Sequence, residues 1–438
     1  MTRSTPRMSR KTTPAWALPR KVFQDLRASY WFVPGFMAIL AFGLAIGSEY
    51  LDRRGWADPY IPSIFYVQNA DIAQSILGVI APASIGAAGV MFSMTMVAVS
   101  FASSNIGPRL IGNFMQDRGV QFSLGTLLAT FIYSLMILRS LRMEDQGFDY
   151  VPILSMTISM GLVLISVGVM IYFVHHIPEI ISLENVTAAL GQRLLTQIAE
   201  LTEFDASDHE EAALEGRCEE LRLDHAGYLQ AVNFQALNRM KRRGEWRVKI
   251  CKFPGDFVAP HMPVAIIATE TPLKDRQRSR LGACFALGTA RTEAQNPAFI
   301  ADQLSEIVAR ALSPGVNDPY TAMSCLNWAH AALHALAGRG PLDPLGFDHD
   351  DARRTLNFTG LLKVTHEIPR SYIAADVLVT RHAHDLLKDL ANALPDGPRR
   401  DAVMAEIKDL LSEAKGLLPH APDIADLSPQ DPAPKPAV

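Results

Sequence analysis

The residues best placed to do chemistry cluster in RALSPGVNDPYTA, residues 310–322. Arg310, Ser313, Gly315, Asn317, Asp318 and Thr321 fall within twelve positions there. Ser313-Pro314-Gly315 should end one helix. Asp318-Pro319 should start the next, Asp as N-cap and Pro at the first helical position. The plain reading is a helix–loop–helix connection. The functional reading is a ligand or partner loop: backbone amides near a helix N-terminus, with Arg310 beside them, hold an anion or a partner's carboxylate.

Two histidine pairs are further candidates. His330 and His334 are four apart and share a helix face. Zinc there would need a third ligand, and no Glu completes an HExxH pattern. A solvated or partly buried pair is expected, with no metal. His175-His176 follows a long apolar run, where imidazoles need no special role; a proton sensor is the alternative. Cys218, Cys251, Cys284 and Cys325 form no CxxC pair and read as ordinary thiols facing a reducing compartment. The chain lacks GxxxxGK[ST], GxGxxG and GxSxG, so no cofactor is expected. An enzyme is the weakest reading. It would need Arg310, Asp318 and His366 to converge.

The elements that must carry these residues are set by hydropathy. Residues 75–104 run thirty positions without a charge. About 20 apolar residues already cross a bilayer core. Small or hydroxyl residues recur at Gly78, Pro82, Gly86, Gly89, Ser93, Ser100 and Ser104, mostly along one helix face. That face either packs closely against another helix or walls a pathway for a partly dehydrated ion. The run exits through Asn105-Ile106-Gly107-Pro108-Arg109. Pro108, Arg109 and Arg118 then lie at a cytoplasmic mouth, as lipid anchors or as a charge ring at a pore entrance.

Four spans are expected, at about 31–50, 75–104, 122–138 and 151–174. Lys and Arg in the short loops place both termini in the cytoplasm, in a bacterial inner membrane. The span interiors are read as free of charge, which weighs against an ion-coupled pump. Before them lies a basic tail (1–30), read as retained and disordered rather than as a signal peptide. After them come a helical linker (177–226), a small β-rich module (227–291), a helical subdomain (292–418) and a Pro-rich disordered tail (419–438). Residues 246–251 alternate as a strand does, and Phe253-Pro254-Gly255-Asp256 is a turn signal. The fold class is therefore membrane α-helical followed by an α+β cytoplasmic domain. The chain-wide average of 49% hydrophobic and 20% charged residues hides this division.

Four segments together resemble an uncharacterised family of bacterial predicted membrane proteins. They are FSMTMVAVSFASSNIGPRLIGNFMQDR (92–118), GYLQAVNFQAL (227–237), PGDFV (254–258) and ARALSPGVNDPYTA (309–322). At His261 the chain departs from the family's usual Gly. The resemblance implies a multi-span half and a soluble C-terminal half, and brings no activity or catalytic residue. The PGDFV…MPV stretch is also similar to the hammerhead turn of biotinyl-carrier barrels, without an attachment lysine.

Two functions remain. The first is an oligomeric channel or small-solute conduit gated by the cytoplasmic domain. The second is a membrane-anchored sensor or scaffold binding a ligand or protein through that domain. The expected partners are the lipid bilayer, further copies of the chain, and an ion or small anionic ligand. No basic stripe with aromatics supports nucleic acid.

Overall fold

The computed structural model describes residues 30–55, 69–105, 117–143, 151–200, 202–203, 217–244, 246–293, 295–296, 298–340, 342–343, 357–418 and 424. Side chains are described for all of these except 103–105, 142–143, 202–203 and 342–343. Both expected tails, Tyr30 and Ile424 aside, lie outside this set, as do residues 106–116 with Pro108 and Arg109. The chain forms two compact units that divide between Asn185 and Val186.

The first unit holds four helices long and apolar enough to cross a membrane: α1 Phe32–Asp52, α2 Ala70–Asn105, α3 Arg118–Met143 and α4 Ile153–Ile181. They run past the expected spans. At 1.5 Å per residue the 36-residue α2 is about 54 Å long, against roughly 30 Å of hydrocarbon. α3 is the hub: 67% of its apolar window is buried, against 22%, 28% and 17% for α1, α2 and α4.

The inward face of α2 is not the Gly/Ser face. It is Ala73, Leu77, Ala81, Ser84, Ala88, Met91, Thr95, Ala98 and Ala102, spaced three or four apart. Small side chains at that period let a neighbouring backbone approach. At Gly125 of α3 an added Cβ would stand 2.5 Å from Met37 Sδ and 3.2 Å from Pro34 Cα of α1, so the two helices cross closely there.

The charge-free reading of the spans needs correction. Glu49 lies within the expected 31–50 span, and α1 runs on past it to Asp52, which is buried. They end the helix, where the hydropathy of its long apolar body masks them.

The second unit starts within α5 Leu183–Glu200; Ser182, extended at ψ 121°, separates that helix from α4. A two-residue pairing joins β1 Thr202–Glu203 to β8 Leu342–Asp343. The β-rich part is two three-stranded antiparallel sheets. One has the order β2 Arg217–Arg222, β6 Pro263–Thr269, β4 Arg247–Ile250; the other β5 Phe257–Val258, β3 Gly227–Val232, β7 Phe285–Gly288. Helices α6 Phe234–Gly244 and α7 Asp275–Gly282 complete it, around Leu229, Leu237, Val258, Ile267, Leu281 and Phe285. Gly255, at φ +99°, makes the expected turn, its amide donating to Leu229 O at 2.7 Å. β2 was expected to be linker. Its inward positions are Glu219 and Leu221, and a buried carboxylate paired with Arg278 hides the apolar alternation.

The helical part comprises α8 Ala298–Ala311, α9 Pro319–Ala337, α10 Phe358–Leu362 with a π turn at Lys363–Glu367, α11 Arg370–Ile373, α12 Val377–Ala393 and α13 Pro398–Leu417. Residues 370–393 form two helices, α11 and α12, not one. Asp376 restarts the chain by accepting Val379 N–H at 2.9 Å, an N-cap.

Candidate functional site

Three of the polar clusters among the described residues are candidates, and each is built differently. The first lies inside the helical bundle. Pro152 precedes α4 and offers no side-chain cap. Asp52 of α1 supplies one from another helix: its carboxylate accepts Leu154 N–H at 2.8 Å, Ser155 N–H at 2.9 Å and Ser155 Oγ–H at 2.6 Å. A carboxylate at a helix N-terminus meets both the unpaired amides and the positive end of the helix dipole. Ser155 Oγ also lies 3.0 Å from Ser48 Oγ, which is 2.9 Å from Tyr133 Oη; Tyr133 donates to Ser155 O at 3.2 Å. Beside this, Ser140 donates to Glu49 at 2.6 Å. Further along the α3–α4 seam, Ser134 meets Ser159 at 3.1 Å and Thr130 meets Ser166 at 2.8 Å. Hydropathy alone pointed to α2 and missed this seam; the run of Ser and Thr on α3 and α4 was the available signal.

The second place is the α8–α9 corner. Asp318 caps α9, accepting Thr321 N–H at 3.1 Å and Thr321 Oγ–H at 2.5 Å. The amides of Val316 and Asn317 both donate to Ser313 O at 3.0 Å, and Asp318 N–H donates to Ala311 O at 2.8 Å. Ser313 Oγ–H donates to Arg310 O, and Arg310 pairs with Glu306. Asn317 takes the left-handed φ of +50°, which Asn tolerates. Gly315 and Asn317 are exposed. These amides are therefore engaged within the corner itself.

The third place is the α9–α12 seam. His330 and His334 of α9 both approach Asp389 Oδ2 of α12, at 3.1 Å and 3.2 Å. One turn away, His382 Nε2 meets Asn327 Oδ1 at 2.7 Å. Burial lowers His330 and His382 below the usual imidazole range. His366 is fully buried, bonded through Nδ1 to Thr365, and pushed down to about 3 by burial, with His330 adding to it. Helical spacing pointed to two of the three groups; the third, Asp389, comes from a helix some fifty residues on.

The remaining expected residues are dispersed. Gly86, Gly89, Ser93 and Ser100 are exposed on α2, and nothing lies within 4 Å of a Cβ added at either glycine. Ser104 is helical, and its side chain lies outside the described set. Arg118 is exposed at the start of α3. His176 meets Asp117 at 3.1 Å and stacks on Tyr172. Burial raises Cys284 to about 11 and raises Cys325, so neither offers a thiolate at neutral pH.

The family whose description reads "Predicted membrane protein (DUF2254)" matches residues 27–389. Uncharacterized protein Mb1321c of Mycobacterium bovis is 27% identical over 404 residues, covering 89% of this chain and 77% of that protein. Uncharacterized protein Rv1290c of Mycobacterium tuberculosis matches with the same figures. No solved structure matches the chain. Four apolar helices of spanning length and a family match over most of the sequence agree, and the chain belongs to this family of predicted membrane proteins.

Proposed function

We propose that the protein is a multi-span anchor in a bacterial inner membrane, both termini cytoplasmic, whose soluble unit senses a ligand or a partner. One observation carries this over a conduit: hydroxyls along the seams of α3 and α4 bond to one another across helices. Thr130 pairs with Ser166, Ser134 with Ser159, and Ser48 with Tyr133 and Ser155. A pathway wall needs groups free to replace an ion's hydration. Groups already paired across helices serve cohesion instead.

A conduit formed among several copies is the second reading. It is favoured by the exposed Gly86, Gly89, Ser93 and Ser100 of α2, which face no helix of their own subunit among the described residues. Flux through purified protein in liposomes separates the two. The anchor reading expects potassium, sodium and chloride fluxes equal to those of protein-free vesicles. Flux above that background, abolished by Gly89→Ile or Ser93→Ile, overturns it.

A further inference from the structure

We infer that His330, His334 and Asp389 form a binding site for a divalent transition metal of the zinc class. The geometry is the ground. His330 and His334 project from one face of α9, four residues apart, and Asp389 reaches them from α12. The three donor atoms lie within 4.8 Å of one another. The two imidazole–carboxylate separations are 3.1 Å and 3.2 Å. Two ligands bound tetrahedrally at about 2.1 Å stand about 3.4 Å apart, so a small outward movement admits the ion.

The donor set selects the metal. Two imidazoles and one carboxylate suit zinc, cobalt, nickel or copper, whereas magnesium and calcium favour all-oxygen shells. No thiol takes part, since Cys325 is buried within α9 and the described cysteines form no cluster with these residues. Three protein ligands leave at least one position open to water or to a donor from outside, the arrangement of a reactive or regulated zinc rather than a closed structural one. Asp389 is 67% exposed, so the ion has a path in. His330 is 17% exposed, so one ligand is held by packing. The ring planes of the two histidines stand at 80°, which lets both Nε2 atoms approach one point from different directions.

The plain alternative is that both imidazole N–H groups donate to one carboxylate oxygen, which has two lone pairs to accept them. That arrangement needs no metal, and it predicts none binds. The metal would be the ligand of the sensor reading, from which only its role is taken; the coordination chemistry stands on the three side chains.

The test is calorimetry on the full chain in lipid nanodiscs, stripped with a chelator and titrated with Zn²⁺ alone. One equivalent should bind, and Co²⁺ should give the visible absorption of a low-symmetry, four- or five-coordinate site. His334→Ala and Asp389→Asn should each weaken binding by about 100-fold or more, loss of a direct ligand exceeding the 10–100-fold typical of outer partners. His261→Ala, an exposed histidine of the β-rich part, should leave binding unchanged. Should His334→Ala fail to fold, Asp389→Asn, at an exposed position, decides alone. Absent saturable binding, or binding equal in Asp389→Asn and the parent, overturns the site. Ion flux in liposomes would overturn the anchor reading while leaving this result intact.

Discussion

Arg370 and Glu406 form a paired charge set into the helical unit. Arg370 Nε donates to Glu406 Oε1 at 2.8 Å, a second bond joins the same groups, and Asp409 lies 3.5 Å off. Glu406 is only 3% exposed. Burial raises its carboxyl above the usual range, and Arg370 pulls it back. Removing one partner of such a pair costs about 3–5 kcal/mol, because the other charge stays buried. Arg370→Ala should therefore unfold at markedly lower temperature, and Glu406→Gln should lose less. Without Arg370 the folded carboxyl titrates still higher, while the unfolded one stays near 4.5. The folded state then binds more protons between those values, so stability falls as pH rises through that window. Because the parent's carboxyl is itself raised, the Arg370→Ala deficit should grow in thermal melts as pH rises above the parent's folded value, with Glu367 and Asp409 adding in the same direction. A deficit that shrinks on raising the pH counts against the buried-charge account.

Between elements, the decisive bond is one the local sequence cannot announce. Asp52 ends α1, yet it caps α4, a hundred residues on. Asp52→Ala orphans the Leu154 and Ser155 amides in an apolar setting, at about 1–3 kcal/mol per unsatisfied group, and leaves the Ser155 hydroxyl with Ser48 alone. Asp52→Asn keeps one acceptor oxygen and should sit between the parent and Asp52→Ala in melts in detergent. Equal melting of all three would show that water replaces the carboxylate. The same contrast explains what was legible. Apolar runs revealed the four long helices, alternation revealed β4, and Asp318-Pro319 revealed a real cap, because each signal is local. Glu219 concealed β2, since its partner Arg278 lies on α7. Asp389 was invisible as the partner of His330 and His334, since the pairing of α9 with α12 is tertiary. The α2 stripe drew attention for its glycines, while the Ala73-to-Ala102 stripe makes the actual seam. Both have helical spacing, and only packing tells them apart.

At the scale of the whole molecule, two units each close their own core. One is built on Tyr133, Ile137 and Met156 with Leu124, Leu127 and Phe173. The other includes the β-rich cluster around Leu229, Leu237 and Ile267, and the helical part whose pair is Arg370–Glu406. Their driving forces differ. The helical bundle gains little from the hydrophobic effect in lipid and relies on close packing and bonds such as Asp52 to Ser155. The second unit, with its β-rich and helical cores, relies on burial of apolar area. Calorimetry in detergent should therefore resolve two transitions. Arg370→Ala should lower one and leave the other, Asp52→Ala should do the reverse, and the double variant should show both shifts undiminished, since sites in separate cores that share no partner add. Urea should act mainly on the transition that Arg370→Ala moves, because denaturant sensitivity follows the surface newly exposed to water. A single transition lowered by both variants would mean that the two cores unfold as one cooperative body.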